Sequence, residues 1–227
     1  MSSFHEAEIA CPRCKASQSV EIWDSVNVTL APDLKGPLVK GELNVFRCDK
    51  CGIEIEIPNY LLYHDIDKQV MIWLMYPEED GHIPVEVAPP TEDLFPQLPR
   101  EYRFRIVKSR QELVEKILIF DDELDDRIIE VLKLHVASKS SSENIEIGEG
   151  LYYNGIEQKK IVFVLLCKEG NSMTCSIPMD DGYLHDSAFL QSQLEETLEE
   201  KGTWLIVDQD YAQEIVRNVN AGEHLYS

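Results

Sequence analysis

The chain has 227 residues, 44% of them hydrophobic and 28% charged, the balance of a soluble globular protein with room for one large domain or two modest ones. Its 42 acidic residues against 21 Lys and Arg give a formal net charge of −21, which argues against a broad nucleic-acid face or docking on an anionic membrane and is compatible with a basic partner. The longest apolar runs, such as IVFVLLC at 161–167, are too short to span a bilayer, and MSSFHEAEIACPRC carries no basic-then-apolar leader, so the expected location is cytoplasmic.

The first hundred residues read as short strands arranged around cysteine motifs, a small β-meander. QSVEIWDSVNVTL is rich in β-branched residues and reads as a strand. APDLKGPLVKGELNVF predicts a short helical turn and then a strand into Cys48. IEIEIP after Gly52 alternates apolar and acidic residues, as a half-exposed strand does. YLLYHDIDKQVMIWLMYP predicts a hairpin that turns at Asp65 to Lys68 and returns through a buried strand. Residues 77–100 hold six of the eleven prolines and read as an extended loop or arm.

YRFRIVKS predicts a further strand. Ser109 and Glu112 have capping-box spacing ahead of LVEKILIF, and so open a helix. A second helix starts at DDELDD, read as a solvated acidic helix start, and places Ile128, Val131, Leu132 and His135 near one face. The polar SKSSSEN at 138–144 closes this region as a domain boundary. Beyond it, GLYYNGIEQKKIVFVLLCKEGNSMTCSIP predicts three antiparallel strands with turns near Gln158 and at KEGN. DSAFLQSQLEETLEEKG reads as a helix, TWLIVD as a strand and DQDYAQEIVRNVN as a final helix. The domains so read are 1–100, with its linker at 77–100, a strand and helical segment at 101–138, and an α+β domain at 139–227.

Cys11, Cys14, Cys48 and Cys51 form two C-x-x-C pairs separated by 33 residues. A tetrahedral zinc ion takes four thiolates at about 2.3 Å, and two such knuckles supply them pairwise from separate loops. Gly52 suits the tight turn after the second pair, where φ is positive. Arg13, Lys15, Arg47 and Lys50 lie in or beside the knuckles, where cations hold thiols deprotonated. Zinc is the favoured metal. A rubredoxin-like iron centre has the same geometry and stays open on spacing alone. Two redox dithiols fit less well, because CDKCG continues into an alternating strand where a thioredoxin-type motif opens a helix. Four protein ligands leave no position for substrate, so the metal is expected to be structural. The fold class expected is α+β: a zinc-ribbon-containing antiparallel β domain, a helical segment and a second α+β domain.

CPRC, EIWDSVN, CDKCG, LLYHDIDKQVMIWL and RIVKSRQELVEKILIFDDELDDRIIEVLKL, in this order over residues 8–137, resemble the CpXC protein family of bacteria and archaea. The resemblance implies a zinc-ribbon-like, metal-binding domain and assigns it no reaction. Cys48-Asp49-Lys50-Cys51 departs from the family pattern in lacking the proline of the first pair.

Three further features compete for a function. In Tyr63-His64-Asp65 the His could shuttle protons, yet neighbours on a strand point to opposite faces, and an exposed or hydrogen-bonded turn residue is the plainer reading. DDELDD lacks the glycine and ligand spacing of an EF-hand loop. Cys167 and Cys175 could bridge the KEGN hairpin, but buried free thiols are the expectation in a reducing compartment. The function expected is a zinc-binding cytosolic protein-interaction module with an unidentified protein partner. The alternatives are an enzyme with its site near His64 or in the C-terminal domain, where His185 lies, and a nucleic-acid-binding zinc ribbon.

Overall fold

A computed structural model describes residues 1–78, 102–142, 147–167, 171–183 and 203–223. The chain divides into two compact units, Met1–Val114 and Glu115–Ser227. Together they form an α+β protein with an N-terminal strand unit.

The first unit contains β1 (Ser3–Ala10), β2 (Ser17–Asn27), the short helix α1 (Lys35–Val39), β3 (Val45–Arg47), β4 (Glu54–Glu56), β5 (Leu61–Asp65), β6 (Val70–Leu74) and β7 (Arg103–Val107). Five of these strands form one sheet in the order β1-β2-β5-β6-β7, and β3 and β4 pair separately. The sheet is mixed rather than a meander. β1 with β2 and β5 with β6 are antiparallel, while β2 with β5 and β6 with β7 are parallel. Parallel pairing needs a connection long enough to return to the end where the previous strand began, and the segments 28–60 and 75–102 have that length. Alternation sends Leu61, Tyr63 and Asp65 of β5 inward, against Val70, Ile72 and Leu74 of β6.

At the start of α2 (Arg110–Asp121) the Ser109 hydroxyl accepts the Glu112 N–H at 3.2 Å, and the Glu112 carboxylate accepts the Lys108 N–H at 2.7 Å. This is the capping box expected from the spacing, with the acid reaching one residue further back.

The second unit holds most of α2, then α3 (Asp126–Ser142), β8 (Ile147–Glu157), β9 (Lys160–Cys167), β10 (Ser172–Pro178) and α4 (Gln209–Glu223). β8, β9 and β10 form an antiparallel sheet in the order β10-β9-β8, and Gln158 and Lys159 turn between β8 and β9 with φ of 49° and 61°. Ile128 and Val131 of α3 pack with Ala212 and Ile215 of α4. Asp208 caps α4, its Oδ1 accepting the N–H groups of Asp210 (3.1 Å) and Tyr211 (3.2 Å).

Several local expectations change. α3 runs on through Ser142, so the serine-rich stretch forms its last turns, at a cost of only tenths of a kcal/mol per serine, about what helix propensity assigns. His135 is exposed, unlike Ile128, Val131 and Leu132. TWLIVD contributes only an isolated bridge position at Leu205. The proline-rich segment from residue 79 to 100, the helix expected at 186–202, His185, and Lys168 to Gly170 of the KEGN turn lie outside the described residues. Among the described residues, no helix is long and apolar enough to cross a membrane.

Candidate metal centre

The two cysteine pairs sit at the tips of two hairpins. Cys11 and Cys14 lie between β1 and β2, where Ala10 and Ser17 close the ladder; Cys48 and Cys51 lie between β3 and β4. The two tips have one backbone design. Cys11 N–H donates to Ala16 O (2.8 Å) and Cys48 N–H to Ile53 O (2.9 Å). Lys15 N–H donates to Cys11 O and Gly52 N–H to Cys48 O, both at 2.9 Å. Lys15 and Gly52, each four residues after the first cysteine of its pair, are left-handed at φ of 61° and 68°. Gly52 therefore has the conformation its position demands, while Lys15 adopts it with a side chain present. The missing proline in the second pair leaves the turn unchanged.

The four Sγ atoms lie within 4.8 Å of one another. Cys11 to Cys51 and Cys14 to Cys48 are each 3.6 Å apart, so the close pairs run between the two tips. A tetrahedron of sulfurs around zinc at about 2.3 Å has edges of about 3.8 Å, and this donor set fits that geometry. Burial pushes the Cys11 thiol up. The N–H groups of Cys14 and Arg13 and the neighbouring thiols outweigh burial and bring it down to about 6. At Cys51 the sulfur accepts the Ile53 N–H, which lowers its pKa, but burial and the three other sulfurs prevail and push it up to about 11. A cation at the centre would reverse that sulfur–sulfur competition.

An apolar sheath surrounds the sulfurs. Phe46 is fully buried against Cys11 and Cys48, with Ile9, Val20, Ile53, Ile55 and Ile57 around them. The alternating IEIEIP therefore turns its isoleucines to the metal centre and its glutamates to solvent. Of the four cations expected near the cluster, Arg13, Lys15 and Lys50 are exposed. Arg47 is exposed too but is held by Glu54 at 2.6 Å.

Residues outside the motif hold the second hairpin in place. Gln18 of β2 donates to Arg47 O (2.9 Å) and accepts the Asp49 N–H (3.0 Å), gripping the second knuckle from the first hairpin. Asn44, at φ 53°, exchanges two side-chain hydrogen bonds with the Trp23 backbone, as a neighbouring strand would. Arg110 donates to the carbonyls of Gly41, Leu43 and Asn44 and pairs with Glu56 at 3.2 Å. Neither Gln18 nor Asn44 carries a sequence signal. Both act through contacts between segments distant in the chain.

The residues around His64 form a separate polar cluster. Alternation along β5 separates His64 from Asp65, as expected. Asp65 accepts from the Tyr63 hydroxyl (3.3 Å) and the Lys68 N–H (3.0 Å) and pairs with Lys35 (3.5 Å). His64 is oriented instead by Asn27 and Tyr102. Asn27 Oδ1 accepts the Leu30 N–H (3.0 Å), which turns its Nδ2 toward His64 Nδ1 at 3.2 Å. Nδ1 must then be the acceptor, so the neutral ring carries its proton on Nε2 and donates it to the Tyr102 oxygen.

DDELDD is more than a solvated helix start. Asp125 caps α3, its Oδ1 accepting the Arg127 N–H at 2.9 Å, while Asp126 is 0% exposed. Asp126 meets Lys116, which also meets Glu130; Lys133 bridges Glu130 and Glu115. Sequence reasoning missed this network because charged residues on a helix are ordinarily solvent-facing. Its one legible signal is the Glu115-Lys116 pair inside an otherwise apolar run. Cys167 and Cys175 are free, and partly exposed rather than buried. Cys175 pairs with Phe163, four positions from Cys167, so the two are roughly 13 Å apart along the strand, beyond the reach of a disulfide.

A family profile described as CpXC protein matches residues 9–133, more than half of the chain. It takes in the four clustered cysteines and both lysines of the charged network. No curated protein and no solved structure matches the chain.

Proposed function

The chain belongs to the CpXC protein family, and on that premise we propose that it is a zinc-binding cytoplasmic protein whose metal is structural and whose role is to bind another protein. The observation that carries the reading is the set of four cysteine sulfurs gathered within 4.8 Å at the tips of two hairpins. Four thiolates, a sheath of isoleucines and Phe46, and matched backbone turns are what a closed tetrahedral site requires. The residues that would hold the ion are Cys11, Cys14, Cys48 and Cys51. It would tie two hairpins that share no ladder to each other, supplying folding free energy that a few short strands cannot.

With every coordination position taken by protein, the ion has no vacancy for a substrate. The engagement of Arg47 by Glu54 and the net charge of −21 favour a protein partner over a nucleic acid. The free thiols Cys167 and Cys175 suit a reducing compartment.

Elemental analysis of purified protein tests the metal: about one zinc per chain is expected of a four-thiolate site, and iron or no metal would overturn the assignment. Affinity capture from native lysate, with intact and metal-stripped protein side by side, tests the role. A partner held only by the metal-loaded form is expected. A chain that captures nothing overturns the interaction reading.

A further inference from the structure

β1 is the outer strand of the five-stranded sheet. Its inner edge pairs with β2 from Ser3 opposite Ser25 to Ala10 opposite Ser17. Among the described residues its other edge has no backbone partner. Sheet edges are usually blunted by proline, lysine, a bulge or shortness. β1 has eight residues with no proline and no lysine, and the only shift of register lies between Ser3 and Phe4. From Phe4 to Ala10 it offers a regular row of free N–H and C=O groups, a template for one more strand.

The side chains say what kind of strand. Glu6 stands directly opposite Glu21, and Glu8 opposite Ser19, on the face where Phe4 packs on Trp23 with ring centroids 5.1 Å apart. Like charges directly across a ladder repel, and this pair is not neutralised locally. Among the described residues no cation pairs with Glu6, Glu8 or Glu21. Glu8 accepts from the Ser17 hydroxyl at 3.0 Å and Glu6 from the Ser19 hydroxyl at 3.5 Å. Phe4 is 47% exposed at the far end of the same face. A second copy of this chain is a poor occupant. It would bring its own Glu6 and Glu8 about 4.8 Å away, the spacing of neighbouring strands, and a further charge of −21.

We propose that the free edge of β1 receives an extended lysine- or arginine-rich segment of a partner protein as an added strand, its cations on Glu6, Glu8 and Glu21 and an apolar side chain on Phe4. The backbone ladder supplies the pairing and the carboxylates select the sequence. The inference rests on the reading of this protein as an interaction module, and it names the surface and the chemistry of the partner.

The test uses full-length metal-loaded protein and an eight-residue peptide alternating Lys and Thr with one Leu. Fluorescence anisotropy is compared for the wild type, for a Glu6→Gln/Glu8→Gln variant, and for the same peptide N-methylated on alternate residues so that one edge cannot pair. The substituted residues are exposed, and an unchanged zinc content confirms that the variant is folded. Binding that falls about fivefold or more in the variant, that weakens with salt and that is lost on N-methylation is the expected result. Equal binding of the N-methylated peptide, equal binding by the variant, or a wild type that dimerises and ignores the peptide overturns the proposal. A lysate partner captured equally by wild type and variant overturns the edge assignment while leaving the interaction reading intact. A wild type that binds neither peptide nor lysate partner overturns both.

Discussion

Lys116 Nζ lies 3.3 Å from Asp126 Oδ2, and both side chains are almost wholly removed from solvent, at 3% and 0% exposure. Asp126 opens α3 and Lys116 sits in α2, so the pair ties the two helices by charge at a depth where charges are rarely found. Glu130, 3.1 Å from the same ammonium, completes the coordination of Lys116. Burial pushes the lysine toward neutrality, but Asp126, Glu130 and Glu115 outweigh it and hold the ammonium well above its ordinary range. The group is therefore charged at any physiological pH.

Removing that charge takes from the buried Asp126 and Glu130 the ammonium they share, leaving Glu130 to Lys133. Lys116→Met is expected to cost about 3–5 kcal/mol, the usual penalty for breaking a buried ion pair from one side. Chemical denaturation followed by far-UV circular dichroism measures it. A loss below about 1 kcal/mol would mean that water or another cation reaches Asp126 despite its burial.

Cys14→Ser removes one of the four sulfurs that would hold the proposed zinc from a cluster built by pairs across two hairpins. Zinc content is expected to fall from about one per chain to near zero, because a three-thiolate site with a weak hydroxyl loses most of its affinity. Unfolding of the first unit should shift to lower denaturant in the same variant. Full zinc content with unchanged unfolding would show that the metal sits elsewhere.

The matched knuckle turns give different expectations for two equivalent positions. Gly52→Ala places a Cβ on a left-handed residue with open space around it, so the cost is conformational alone, about 1 kcal/mol. Lys15→Gly relieves the same conformation in the first knuckle and loosens the unfolded chain, two effects that nearly cancel. Thermal melts of the two variants compare them directly. A Gly52→Ala protein as stable as the wild type would show that the turn can relax.

His64 makes the first unit sensitive to acid. Burial depresses its pKa below the ordinary value of about 6.5, with the Met1 amine assisting and Asp65 opposing. A depressed folded value means that the unfolded chain binds the proton more readily, so the stabilisation is complete above about pH 6.5 and is lost as pH falls through the folded pKa. The geometry acts in the same direction as burial: a proton on Nδ1 would face the Asn27 amide N–H head on. Asn27→Asp turns that clash into an attraction. The urea midpoint should fall between pH 7.5 and 5.5 in the wild type and fall less in Asn27→Asp. Equal losses would remove His64 as the cause.

The cysteine cluster was legible because two C-x-x-C pairs at this spacing have few other uses, and because Gly52 marks the turn. The capping box at Ser109 and Glu112, the β8–β9 turn at Gln158 and the α4 start were legible too, since each is a local rule written within four residues. β1 was not picked out as a separate strand, although Ala7 and Ile9 alternate with Glu6 and Glu8. Its short alternation gains meaning only when β2 lies beside it.

By itself the sequence determined which four cysteines form the cluster, the α+β class and the positions of most helix starts and hairpin turns, because these depend on patterns written in residues close along the chain. Only the tertiary structure decided that β2 and β5 run parallel, that Gln18 and Asn44 grip the second hairpin, and that Asp126 is buried against Lys116. Those outcomes depend on which distant segments meet, and on desolvation that no local pattern encodes.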